Sequence, residues 1–126
     1  MLRARDIMSM SVPTVTRRTP VHEFAQLLAD RHLNGALVIS DDGAVIGMAT
    51  EADLLTRTGP TVGDIMTPGI ISVREETPVC EIAQLLGRFQ IRQTPVMHGA
   101  RLVGMVGRGD IVRAIARAAQ PEAVLG

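Results

Sequence analysis

Two short stretches place chemically useful groups where a helix would begin: Thr50-Glu51-Ala52-Asp53 and Gly107-Arg108-Gly109-Asp110. A helix N-terminus presents free backbone N–H groups and a partial positive charge, which suits a phosphate. A carboxylate one turn inside, at Asp53 and Asp110, suits the paired hydroxyls of a vicinal diol. The same spacing has a purely structural reading. Thr-x-x-acid at a helix start is a capping box, worth about 0.5–2 kcal/mol for the cap residue, and Gly107 with Asp110 fits that reading too. Capping and binding are compatible, because one side chain can switch between backbone and ligand.

Other reactive side chains form no constellation. His22, His32 and His98 share no metal-ligand spacing, and lone histidines belong on surfaces or at helix ends. Cys80 is expected as a small buried hydrophobe, and Met48 and Met105 as core filling. Arg92 and Arg101 either reach a phosphate or serve as solvated surface. Arg113 and Arg117, four residues apart, read as the solvent face of the last helix. No Ser-His-Asp set, metal cluster or Gly-rich phosphate loop is present, so no catalytic or metal-ligating residue is assigned.

The elements that position the two acid stretches are written twice. Asp6-Ile7-Met8, Thr19-Pro20-Val21 and Ala25-Gln26-Leu27-Leu28 all recur 58 residues later, and Gly47-Met48 and Asp53 recur 57 residues later. Each copy reads as βαββα. A short extended segment (Thr14–Thr16; Ser72–Arg74) leads into Thr-Pro, with Thr19 and Thr77 as helix N-caps and the proline at the first helical position. The helix places Val21, Phe24, Ala25 and Leu28, or Val79, Ile82, Ala83 and Leu86, on one face. A hairpin follows, turning at Asp41-Asp42-Gly43 or His98-Gly99, and a helix opens at Thr50 or Gly107. The expected organisation is repeat 1 over 1–58, repeat 2 over 59–120 and a tail at 121–126. Each half alone buries too little surface for comfortable stability. The fold class is therefore α/β (α+β-type), with two βαββα units packed through their sheets about a pseudo-twofold axis.

Composition narrows the partners. Thirteen Lys and Arg balance thirteen Asp and Glu, without the basic excess that gripping a nucleic acid backbone requires. Phe24 and Phe89 are the only aromatic rings, which removes the stacking platforms of a single-strand binder. No apolar run is long enough for a bilayer, the first residues do not read as a secretory signal, and one cysteine fits a reducing compartment. A cytoplasmic location is expected.

The order Asp-Ile-Met, Thr-Pro-Val, helix, hairpin and Gly-Met-Ala-Thr-Glu-Ala-Asp resembles the CBS domain, and two in tandem resemble a Bateman module. The resemblance covers residues 3 to 118 and suggests a stand-alone CBS pair. It implies a regulatory module, with no cofactor required, that binds an adenosine compound (AMP, ADP, ATP, S-adenosylmethionine or a NAD-type dinucleotide) in one or two clefts between the repeats. Gly47–Asp53 matches the family's ribose-phosphate motif, so the resemblance implies that Asp53 accepts from the ribose hydroxyls and Thr50 meets ribose or phosphate. In Gly104–Asp110 the acid is kept, the hydroxyl is lost, and Arg108 offers a direct phosphate contact.

By the same resemblance each cleft borrows from the other copy. Ile70, Ile71, Gln93, Thr94 and Pro95 would complete the Asp53 cleft, while Val12, Pro13, Thr14, Asn34, Gly35 and Ala36 would complete the Asp110 cleft. Glu51 disfavours a triphosphate beside Thr50. A homodimer through the helices is implied, with Ala114, Ile115 and Ala118 as contacts, together with a regulated partner protein. The alternative is a structural or dimerising module with empty, degenerate clefts, for which the missing hydroxyl at Gly107 is the best support.

Overall fold

The computed structural model describes residues 1–125; Gly126, the end of the expected tail, lies outside the described residues. The duplicated pattern becomes two compact units of mixed α/β structure. One comprises residues 12–70. It runs through β1 (Thr14–Val15), α2 (Val21–Arg31), β2 (Gly35–Ile39), β3 (Val45–Thr50), α3 (Glu51–Thr56), α4 (Val62–Ile65) and β4 (Thr67–Pro68). The other combines residues 1–11 with 71–125. It holds α1 (Ala4–Ile7), β5 (Val73–Arg74), α5 (Val79–Arg88), β6 (Gln93–His98), β7 (Arg101–Gly107), α6 (Arg108–Arg117) and α7 (Glu122–Leu125).

The sheets are mixed. In the 12–70 unit the order is β1-β2-β3-β4, with β1 parallel to β2 and the remaining pairs antiparallel. In the other unit β5 runs parallel to β6 and β6 antiparallel to β7. There a bridge from Ser9 to Met105 stands where the first sheet has β4. Both hairpins carry a register shift at matching places, Val38/Ile39 and Val96/Met97. Their turns rest on Gly43 and Gly99 at φ 85° and 61°, a conformation that costs glycine little.

Each core collects one helix face against one sheet face. Phe24 and Leu28 pack with Val15, Val38, Ala49, Val62 and Ile65; Val79, Ile82 and Leu86 pack with Ala4, Val73, Val96, Val106 and Ile111. The helix faces read from the sequence are therefore the buried ones. The sequence repeat and the compact unit are not the same stretch of chain, because the opening turn of each repeat is built into the body of the other. Val62 and Ile65 close the core around Phe24, and Ala4 closes the core around Ile82. Backbone bonds hold each turn in place: Val62 N–H to Thr19 O (2.8 Å) in one unit, Ala4 N–H to Thr77 O (2.8 Å) in the other. The Asp of each Asp-Ile-Met copy accepts from a backbone N–H three residues earlier, Asp6 from Arg3 (2.8 Å) and Asp64 from Thr61 (3.0 Å).

Thr19 and Thr77 do not cap the helices. The caps are Pro20 and Pro78, at ψ 142° and 143°, and neither gives a side-chain bond. Each threonine closes the preceding turn instead, accepting at Oγ1 from the Thr16 N–H (3.1 Å) or the Arg74 N–H (3.0 Å). The residue before a proline is biased to extended backbone, which moves the helix start one residue later and leaves the hydroxyl a turn short. The tail is not featureless either: α7 buries Val124 in the core of its unit. Cys80, Met48 and Met105 are half-buried rather than enclosed.

The Asp41-Asp42-Gly43 turn carries a pH signature. Ser40 Oγ and, at 3.3 Å, the Ala44 N–H donate to Asp42 Oδ1. The serine bond first, then the backbone bond, holds the Asp42 carboxyl below its ordinary 3.8. A carboxyl lowered on folding contributes stability above its unfolded value, and loses it as pH falls through the folded value. Acid unfolding of Asp42→Asn, compared with the parent, is expected to show a shallower loss of stability below pH ~4.

Candidate ligand-binding site

The corner between β3 and α3 is built around Thr50, the last residue of the strand and the N-cap of the helix. Its N–H donates to Asp53 Oδ2 at 2.9 Å, and its Oγ1 accepts from the Asp53 N–H at 3.3 Å. The capping box is thus formed. The Glu51 N–H donates to Asn34 O at 2.9 Å, so much of this helix terminus is already engaged within its own unit. What remains is the second carboxylate oxygen. Asp53 is buried, with 7% exposure, and its Oδ1 faces only the Arg57 Nε at 3.7 Å. Arg57 is held in turn by the carbonyl of Met66 at 3.1 Å.

The second corner repeats the backbone with different side chains. The Gly107 N–H donates to Asp110 Oδ2 at 2.7 Å, and the Arg108 N–H donates to Arg92 O at 3.0 Å. Gly107 has no hydroxyl to return, and Asp110 Oδ1 accepts instead from Arg113 Nη2 at 2.6 Å. Arg113 is therefore not simply solvent face. Neither Arg57 nor Arg113 was singled out from the sequence as a partner of the acids. Their positions four and three residues after the carboxylates are the available signal, since such pairs meet on a helix.

The expected binding residues fall into the two units as follows. With Thr50 and Asp53 the structure brings together Val12, Pro13, Thr14, Gly35 and Ala36: the Pro13 carbonyl accepts from the Leu37 N–H, and Thr14 pairs with Leu37. Gly35 pairs with Thr50, and Ala36 with Ala49. Ile70 closes the same unit. With Arg108 and Asp110 it brings together Ile71, Gln93, Thr94 and Pro95. Gln93 pairs with Gly107 and Pro95 with Met105. Thr94 is fully buried, and its hydroxyl is committed to the Ile71 carbonyl at 2.9 Å. It ties β6 to Ile71, where the chain re-enters this unit, and has no free donor for a ligand. Asp110 and Arg113 also border a groove of about 710 Å³ lined by α1, α6 and α7. Among the described residues no group of three or more His, Cys, Asp or Glu could hold a metal ion, and no helix is long and apolar enough to cross a membrane.

Duplicated α/β units, each with a strand-to-helix corner whose N-cap N–H donates to an aspartate three residues on, define a tandem-repeat module. Residues 4–58 and 62–117 match the CBS domain, and the chain belongs to the CBS domain family. The CBS domain-containing protein YhcV of Bacillus subtilis is 30% identical over 118 residues, 88% of this chain and 84% of that protein. Among solved structures, CBSX2 in complex with AMP matches at TM-score 0.87 and 29% identity, over 93% of this chain and 98% of that one. The CBS domain pair of protein MJ0100, in complex with 5′-methylthioadenosine and S-adenosyl-L-methionine, matches at TM-score 0.82 and 27% identity, over 92% and 97%.

Proposed function

We propose that this CBS pair is a ligand-sensing regulatory module that binds an adenosine-containing compound and performs no chemistry on it. The observation that carries this is the division of labour at Asp53: Oδ2 caps the helix while Oδ1 is left for a diol. Relatives of the same fold that hold AMP, 5′-methylthioadenosine or S-adenosyl-L-methionine support the ligand class. In this reading the binding residues are Thr50 and Asp53 with Val12, Pro13, Thr14, Gly35, Ala36 and Ile70 in one unit, and Arg108 and Asp110 with Ile71, Gln93, Thr94 and Pro95 in the other, Thr94 and Pro95 acting through backbone and aliphatic surface. The module acts in the cytoplasm as a homodimer, with Ala114, Ile115 and Ala118 among its contacts, and a regulated protein reads the ligand-induced shift.

A second reading rests on the other corner. Gly107 lacks the hydroxyl and Arg113 occupies Asp110 Oδ1, as expected of a module whose clefts are empty and whose role is to dimerise.

Thermal unfolding with AMP, ATP, S-adenosylmethionine and NADH separates the two. A ligand at 100 times its Kd adds about 2.7 kcal/mol, several degrees for a chain of this size. Asp53→Asn is the informative variant, because its amide oxygen can still cap Thr50 while the anionic diol acceptor is lost. The sensing reading expects a ligand-induced rise in the parent, from which Asp53→Asn removes the part contributed by the Asp53 corner and leaves any part contributed by the Asp110 corner. No rise with any compound at millimolar concentration favours the scaffold.

A further inference from the structure

The two repeats build one backbone corner from side chains of opposite charge. The Glu51 N–H bonds the Asn34 carbonyl in one unit, and the Arg108 N–H bonds the Arg92 carbonyl in the other. Gly35 pairs with Thr50 as Gln93 pairs with Gly107, so the positions correspond one to one. The side chains do not. Where the first corner has Asn34, Glu51 and Thr56, the second has Arg92, Arg108 and Arg113. These three arginines line a cavity of about 550 Å³ together with Gly107, Gly109 and Asp110. All three are exposed, and among the described residues Arg92 and Arg108 have no carboxylate partner. The first corner sets two carboxylates, Glu51 and Asp53, against Arg57 alone.

We infer that the two corners are specialised by ligand charge: the Asp110 corner takes a nucleoside di- or triphosphate, and the Asp53 corner an uncharged or weakly charged adenosine compound. The inference rests on the adenosine-binding reading above and adds the ligand class of each corner. Guanidinium groups are suited to phosphate because their paired N–H donors match its oxygens, and the ten-residue α6 directs its positive end to the same cavity. Arg113 supplies the exchange. Without ligand it neutralises Asp110 Oδ1; a ribose diol takes that oxygen, and Arg113 turns to the phosphates, leaving every charge paired. Gly109 keeps the path open. A Cβ there would stand 3.3 Å from Arg113 Nη1.

The test is calorimetric titration of the full chain with ATP, adenosine and inorganic tripolyphosphate, at low and high salt. The variants are Asp53→Asn, Arg108→Glu and their combination; Arg108 is exposed, and unchanged melting confirms folding. With Asp53→Asn silencing the first corner, ATP is expected to bind at least about tenfold more tightly than adenosine, an advantage that added salt erodes and Arg108→Glu removes. If ATP and adenosine both bind and their ratio is indifferent to Arg108→Glu, the charge specialisation is wrong and the adenosine reading stands. If neither nucleoside compound binds the parent, the adenosine reading fails. Tripolyphosphate then decides the rest: binding that depends on Arg108 keeps the polyanion site, and its absence overturns it.

Discussion

Gly47→Ala is expected to lower the melting temperature markedly, and Gly104→Ala to lower it less. Both glycines sit in the third strand of their sheets, where the exchanged segment crosses. A Cβ on Gly47 would overlap the Thr67 carbonyl oxygen, lie 2.5 Å from Met66 Cε and lie 3.1 Å from Pro68 Cα. Two of those obstacles are backbone of β4, which is paired to β3 at this residue and cannot retreat without losing the pairing. At Gly104 the nearest atoms are Met8 Sδ and Cγ, at 2.6 and 2.9 Å. They belong to a flexible side chain, so only the Ser9 carbonyl, at 2.9 Å, resists. Overpacking of this kind costs about 1–3 kcal/mol, roughly 4 °C per kcal/mol for a chain of this length. Equal melting points for the two variants would show that the crossing backbone is not the obstacle.

Cutting the chain at the sequence repeat is expected to abolish folding, whereas a fragment cut at the compact unit is expected to keep a closed, if marginally stable, core. A fragment of residues 1–58 loses Val62 and Ile65, exposed at 0% and 1% in the intact chain, and with them the floor beneath Phe24. It also loses the bonds from Val62 and Gly63 to Thr19 and Arg17. Removing two large apolar contacts from a core this small costs several kcal/mol, about as much as such a core supplies. A fragment of residues 12–70 keeps them all. Amide exchange is expected to show protected β2 and β3 amides in 12–70 and none in 1–58. Mixing 1–58 with 59–126 is expected to restore protection in both. Protection in 1–58 by itself would mean that its core closes without the exchanged turn.

Much of this architecture was legible because each signal was local and came twice. Thr50-x-x-Asp53 predicted a box that is present to the atom, and the helix faces at Phe24 and Ile82 followed from their spacing. What stayed hidden depends on distant partners. Asp6 and Asp64 mark matching points of the repeat, but nothing in Asp-Ile-Met says whose core the following isoleucine will enter. Gly47 and Gly104 read as parts of a binding motif, yet their lack of a side chain is used up by a strand in one unit and a bridged segment in the other, both arriving from elsewhere in the sequence. Thr19 misled because its cap signal competes with the extended bias ahead of Pro20. Arg57 and Arg113 sit at ordinary surface spacing, and only the direction in which each side chain falls distinguishes an ion pair from a solvated charge.

The exchanged turns bear on where such a chain comes from. A polypeptide carrying one repeat has an opening turn that its own body cannot use and a core that nothing of its own can close. It becomes a finished fold only by trading turns with another molecule like itself, so its stability falls on dilution. Fusing two copies through the few residues between Thr58 and Thr61 replaces that encounter with a tethered one, at effective concentrations in the millimolar range. Once fused, the halves are free to diverge, because each trade now joins one fixed pair of surfaces. A one-repeat chain that melts at the same temperature at micromolar and millimolar concentration would argue against this descent.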